Sequence, residues 1–282
     1  MLHVVASGIV QDRAPALIAG VCRTACGDLL VCYNSGGDLS PGQTAALVRS
    51  ADGGRTWGEP ETRFASVFAR GGVEAGCSLS RLRSGRLILS YADGFYLHPG
   101  TDNYDRRALL FCPVSDDGGH TWSGRQAHDY EGLEAFAFGR IVQLRGGDLL
   151  LPLWGAYQQQ GKWIPAVLRS PDGGETWKDW SPIADHGDET PVVLLPDGRV
   201  LALLRDYTLG DPRRPFHVAW SQDGGESWTA PCQVELCGTS PSLHVTADGQ
   251  LFAGYRSTEP GGNCRLATSA DGGRSWEPVL EL

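Results

Sequence analysis

Two arginines stand at one recurring place in this sequence. Arg205 and Arg256 each lie seven residues after a glycine, Gly198 and Gly249, and each ends an apolar run, Val200–Leu204 and Leu251–Tyr255. A guanidinium is permanently charged, and its planar fork of donors matches a carboxylate bidentately, so such a pair suits an anionic ligand. Two ordinary surface ion pairs are the other reading, and the spacing alone leaves both open. The residues at the same place elsewhere are Asn34, Ala92 and Trp154, after Gly27, Gly85 and Gly147.

Those glycines belong to a repeat. Ser50-Ala-Asp-Gly-Gly-Arg-Thr-Trp57 recurs as Ser115–Trp122, Ser170–Trp177, Ser221–Trp228 and Ser269–Trp276, with tryptophans 65, 55, 51 and 48 residues apart. In this box the Asp-Gly-Gly segment predicts a tight turn with positive φ, the Asp carboxylate can accept backbone N–H groups across it, and the Trp is a large apolar plug. Upstream, Gly27-Asp-Leu-Leu-Val, Gly85-Arg-Leu-Ile-Leu, Gly147-Asp-Leu-Leu-Leu, Gly198-Arg-Val-Leu-Ala and Gly249-Gln-Leu-Phe-Ala each read as a turn and an apolar strand. A short strand enters every box, as at Ala45–Arg49 and Ala166–Arg169. The unit is strand, glycine turn, strand, loop, strand, box, strand, which is a four-stranded antiparallel blade, and such blades arranged radially make a β-propeller.

Five blades are readable in one domain, 1–282. After the last box Glu277–Leu282 suffices for an outer strand, while His3–Ile9 reads as an outer strand without a blade of its own. The expectation is an all-β propeller in which the sixth blade is largely missing, with closure by five blades alone as the alternative.

Composition excludes several classes. Net charge is −9 with no Lys/Arg run, which disfavours nucleic acid as a partner. No segment approaches the roughly 18 apolar residues of a membrane-spanning helix. Val4–Val10 runs into Asp12 and Arg13 with no basic segment before it, unlike a secretory signal. The eight cysteines lack metal-ligand spacing: Cys22 and Cys26 are four apart, Cys232 and Cys237 five. Reduced thiols and a cytoplasmic location are therefore expected, with no metal. No phosphate loop, dinucleotide fingerprint or H-E-x-x-H motif is present, so no cofactor is expected.

The box pattern S-x-D-G-G-x-[ST]-W resembles the Asp boxes (BNR repeats) of the sialidase, or neuraminidase, superfamily, and the resemblance extends to candidate site residues. Asp12-Arg13-Ala14-Pro15-Ala16-Leu17 is similar to that family's Arg-Ile-Pro motif. Glu189-Thr-Pro-Val-Val-Leu-Leu-Pro-Asp-Gly-Arg-Val-Leu-Ala-Leu-Leu-Arg205-Asp206 is similar to its blade-four segment. The resemblance implies that Arg13, Arg205 and Arg256 grip the carboxylate of a sialic acid, with Arg265 as the fallback for the third. It also implies that Glu189 is catalytic and that Asp38, in Asn34-Ser-Gly-Gly-Asp38, is the acid/base. The family's Tyr nucleophile lies in the blade not found here, and neither Tyr207 nor Tyr255 matches its motif; on a strand, Tyr255 should point away from Arg256.

Two functions follow as expectations. One is an exo-sialidase-like glycoside hydrolase acting on terminal sialic acid, or a related anionic sugar, of glycans. The other is a non-catalytic glycan-binding propeller without its nucleophile. A purely structural scaffold is the weakest reading. Tyr96, His98, Tyr104, Arg106 and Arg107 in the blade-two insertion could form a rim. Glu74 and Glu134 read as rim or structural residues, and Trp154, Tyr157 and Trp163 could stack on a sugar.

Overall fold

The structure is a computed structural model that describes residues 7, 9–10, 16–35, 44–65, 71–96, 106–124, 127–128, 133–157, 163–205, 211, 213–259 and 262–281. Arg13, Asp38, Tyr207, all but residues 7 and 9 of the expected His3–Ile9 strand, and His98 and Tyr104 of the insertion fall outside these residues, as do the side chains of Glu74, Tyr96, Arg106, Arg107, Glu134 and Tyr157. The described regular elements are all β-strands. By internal contacts the chain forms two compact units, one within 6–141 and one dominated by 142–282.

The first unit holds two repeats. β1 (Ala16–Arg23), β2 (Leu29–Ser35), β3 (Thr44–Ser50) and β4 (Glu61–Ala65) form one antiparallel sheet in chain order. β5 (Gly71–Arg81), β6 (Leu87–Tyr96), β7 (Arg106–Phe111) and β9 (Ala127–His128) form the next, with β8 (Val114–Ser115) added to β6. β10 (Leu133–Ala137) lies against β5, β6 and β7.

The second unit holds the later repeats. β11 (Val142–Gln143), β12 (Leu149–Tyr157), β13 (Ile164–Ser170) and β14 (Lys178–Pro182) pair in order. β15 (Val192–Leu194), β16 (Val200–Leu204), β17 (Pro215–Ser221), β18 (Cys232–Val245), β19 (Leu251–Ser257), β20 (Cys264–Ser269) and β21 (Glu277–Glu281) form one seven-stranded sheet. Two repeats share β18: its first half pairs with β17, its second with β19, and the register shifts between Thr239 and Ser242. Each repeat thus has the strand order of a propeller blade.

Middle strands are apolar on both faces because a sheet packs on each side of them. In β16, Val200, Ala202 and Leu204 pack with Leu150 and Val167 of the preceding repeat. Leu201 and Leu203 point the other way, onto Leu251, Ala253 and Tyr255 of the following one. In the first unit, Leu30, Cys32 and Phe64 meet Leu87, Leu89 and Tyr91, and Trp122 closes that core edge-on to Phe64 at 6.0 Å and 83°.

The boxes behave as their sequence requires. In the first, Asp52 Oδ1 accepts the N–H groups of Arg55 (3.0 Å) and Thr56 (2.9 Å) and the Ser50 hydroxyl (2.8 Å), while Oδ2 accepts the Thr56 hydroxyl (2.7 Å). The Gly54 N–H donates to Ser50 Oγ at 2.8 Å. Asp117, Asp172, Asp223 and Asp271 repeat the pattern.

At three boxes the residue before the serine does something the repeat pattern did not reveal. Arg49 donates from Nη1 to Asp28 of its own repeat (3.0 Å) and from Nη2 to the Gly118 carbonyl of the next repeat's box (2.7 Å). Arg169 does the same with Asp148 (3.0 Å) and the Gly224 carbonyl (2.7 Å). At the next junction Trp220 takes this place, and its indole N–H donates to the Gly272 carbonyl at 2.8 Å. The second, fourth and fifth boxes are therefore each fastened to the repeat before them by a side-chain donor.

Candidate functional site

The site is assembled where β16 ends. The segment Gly187-Asp188-Glu189-Thr190 lies across that end, and the Asp188 N–H donates to the Arg205 carbonyl at 3.2 Å. Gly187 has φ +114, and a Cβ there would lie 3.0 Å from the Arg205 carbonyl oxygen. Glycine is what permits this approach, since a side chain would meet backbone that cannot yield.

Asp188 and Glu189 converge on Arg205. Asp188 Oδ1 accepts Nε–H and Oδ2 accepts Nη2–H of Arg205, both at 2.7 Å, in side-on bidentate geometry. Glu189 Oε2 pairs with Nη1 of the same guanidinium. Asp188 Oδ1 also accepts the Glu189 N–H at 2.7 Å. The Arg205, Asp188 and Glu189 side chains are only 11%, 12% and 13% exposed, so little solvent screens these charges.

Burial pushes the Glu189 carboxyl up to about 7; Arg205 opposes that rise, Asp188 reinforces it, and hydrogen bonds from the Ser240 side chain and backbone oppose it. Burial prevails because one guanidinium is shared between two carboxylates. A carboxyl near neutrality can hold or release a proton under ordinary conditions, which general acid–base work needs.

Ser240 ties this cluster to the last repeat. It sits at the irregularity of β18 with φ +51. Its neighbour Thr239 is the cross-strand partner of Arg256, whose Nε–H donates to Thr239 Oγ1 at 3.1 Å. Arg205 and Arg256 keep the equivalent places expected of them but differ in environment: Arg205 is enclosed by carboxylates, and Arg256 is exposed. Tyr255 is buried edge-on to Phe216 (5.7 Å, 82°), opposite to exposed Arg256, as strand alternation requires. Arg265 pairs with Glu259 and, at 3.4 Å, with Glu281. Trp154 and Trp163 pack edge-to-face at 4.6 Å and 68°.

Sequence reasoning missed Asp188 and Ser240. For Asp188 a signal existed: two adjacent carboxylates leading into an apolar strand require a nearby cation. For Ser240 none did, because the shift along β18 is a tertiary feature. Asp93, fully buried on β6, also went unremarked. Among the described residues no cluster of His, Cys, Asp and Glu could hold a metal ion.

Antiparallel sheets that each carry the same Asp-Gly-Gly box turn place the chain in the class of Asp-box proteins. The family model described as "BNR repeat-like domain" matches residues 95–282. The chain belongs to that family, within the sialidase superfamily. A sialidase of Micromonospora viridifaciens is 33% identical over 310 aligned positions, covering 98% of this chain and 46% of that protein. A sialidase of Bacteroides fragilis (strain YCH46) is 26% identical, covering 96% and 55%. The chain thus spans about half the length of the curated relatives it matches. Among solved structures, the Hadza microbial sialidase Hz136 superposes with a TM-score of 0.77 at 21% identity, over 94% of this chain and 58% of that one. That likeness is one of fold.

Proposed function

We propose that this chain is a sialidase-like glycoside hydrolase acting on terminal sialic acid, or a related anionic sugar, of glycans. The observation that carries the reading is the Glu189–Arg205 contact, a buried near-neutral carboxyl held against a permanent cation. Two sialidases among the relatives support it. The repeats act as blades of one propeller domain, with the site at the ends of their second strands.

In this reading Arg13, Arg205 and Arg256 bind the substrate carboxylate. An attacking O–H forms a bond to the anomeric carbon as the glycosidic C–O bond breaks. Glu189 accepts the proton of the attacking oxygen, and Asp38 donates one to the leaving oxygen. Because Glu189 works ionised and its carboxyl sits at about 7, kcat/KM should rise with pH through that region.

A fluorogenic sialoside, and calorimetry with a dehydrated sialic acid analogue, test the assignment. Wild type should turn over the sialoside, Glu189→Gln and Asp38→Ala should lose about 10²-fold or more of that rate, and Arg205→Ala and Arg256→Ala should weaken analogue binding. Binding without turnover would favour the glycan-binding reading. Neither binding nor turnover by a folded wild type would refute both.

A further inference from the structure

Asp188 has no part in the reading above, yet it makes the best-formed contacts in the cluster. Both of its oxygens meet the guanidinium of Arg205 at 2.7 Å, and one of them also receives the N–H of Glu189 at 2.7 Å. Its side chain is 12% exposed, and its own N–H is anchored on the Arg205 carbonyl. Asp188 is thus fixed at its backbone by the same residue it holds by its side chain.

The arrangement constrains Arg205. An arginine side chain is long and rich in rotamers, and holding it in one geometry costs entropy unless the fork is engaged side-on. Asp188 occupies Nε and Nη2, and this fixes the guanidinium plane and leaves the Nη1 corner to meet Glu189. Without Asp188 the whole cation would be available to Glu189 alone.

We infer that Asp188 is a positioning residue, which holds the Arg205 guanidinium side-on and so limits Glu189 to one corner of that cation. This inference rests on the assignment of Glu189 and Arg205 as site residues, and it is judged on the free protein. Among the described residues, the charged groups facing Glu189 are Asp188 on its own segment and Arg205 at the end of β16; Ser240 of β18 adds neutral hydrogen bonds. Removing the Asp188 charge acts twice in one direction. It deletes a neighbouring negative charge, and it frees Arg205 to pair more fully with Glu189. Both favour the ionised carboxylate.

The test uses the full chain, with Asp188→Asn as the close isostere and Arg205→Lys as a variant that keeps the charge but loses the fork. Carbon-13 NMR follows the Glu189 carboxyl through pH, with Glu189→Gln to assign the signal. Asp188→Asn should move the Glu189 midpoint down by a unit or more, while thermal melting shows that the fold persists. With an active wild type, the rise of kcat/KM with pH should move down in parallel, and kcat/KM at its plateau should fall about tenfold or more as Arg205 loses its fixed orientation. A Glu189 midpoint that stays or rises in folded Asp188→Asn would overturn the inference. If Asp188→Asn does not fold, Arg205→Lys decides: a lysine cannot be held as a fork, so an unchanged Glu189 midpoint there would count against the inference. A wild type without sialoside turnover or binding would defeat the functional proposal alone, since the titration is read without substrate.

Discussion

Glu189 is buried beside one cation and one anion, and its protonation bears on stability as well as on chemistry. Its folded-state carboxyl, at about 7, lies above the ordinary value of 4.5. A raised pKa means that the folded protein holds this proton more tightly than the unfolded chain does. The stabilisation is complete below about pH 4.5 and is lost as pH rises through about 7. Glu189→Gln carries no such proton. Thermal midpoints measured from pH 5 to 8 should therefore fall more for wild type than for the variant, and parallel curves would show that the carboxyl is not raised. At this scale the sequence exposed the residue types. Glu189 and Arg205 are sixteen positions apart by subtraction, and nothing in that spacing says that the pair touches, because the contact depends on how a glycine-started segment crosses a strand end.

At the scale of elements, side-chain donors link consecutive repeats. Trp220 donates to the Gly272 carbonyl where Arg49 and Arg169 donate to Gly118 and Gly224. Trp220→Phe keeps the ring and removes the donor, so it should cost about 1–3 kcal/mol by leaving that carbonyl unpaired; denaturant unfolding measures it. Gly119 is a sharper case. Its φ is +90, and an added Cβ would lie 2.7 Å from Cδ2 of fully packed Leu30. Gly119→Ala should cost about 1–2 kcal/mol for the left-handed backbone and a further 1–3 kcal/mol for overpacking. A loss below 1 kcal/mol would show that Leu30 can yield. The repeat pattern predicted the glycine turn here, but the close contact with Leu30 belongs to the neighbouring sheet and was not legible.

For the whole molecule, the Asp boxes make acid the condition to watch. The Thr56 hydroxyl, with its N–H and Ser50, holds the Asp52 carboxyl well below the usual carboxylate range, and Asp117 is held likewise by Thr121. Burial pushes Asp172 and Asp271 up, but hydrogen bonds outweigh it and leave both at about 2. Depressed carboxyls stabilise the fold above the ordinary value of 3.8, and that contribution is lost as pH falls below it. Melting temperature should therefore drop steeply between pH 4 and pH 2, and Asp117→Asn should soften the slope. The sequence by itself determined the repeat, its strand order, the box turns and the class of protein, because these rest on local rules: positive φ at glycine, carboxylate capping of a turn, and apolar runs of strand length. Tertiary structure alone decided that two carboxylates share the Arg205 guanidinium, that burial carries Glu189 toward neutrality, and that arginine and tryptophan do the same work between repeats. Charge interactions and hydrogen bonds of this kind depend on distance and solvent exclusion in space, and a linear sequence records neither.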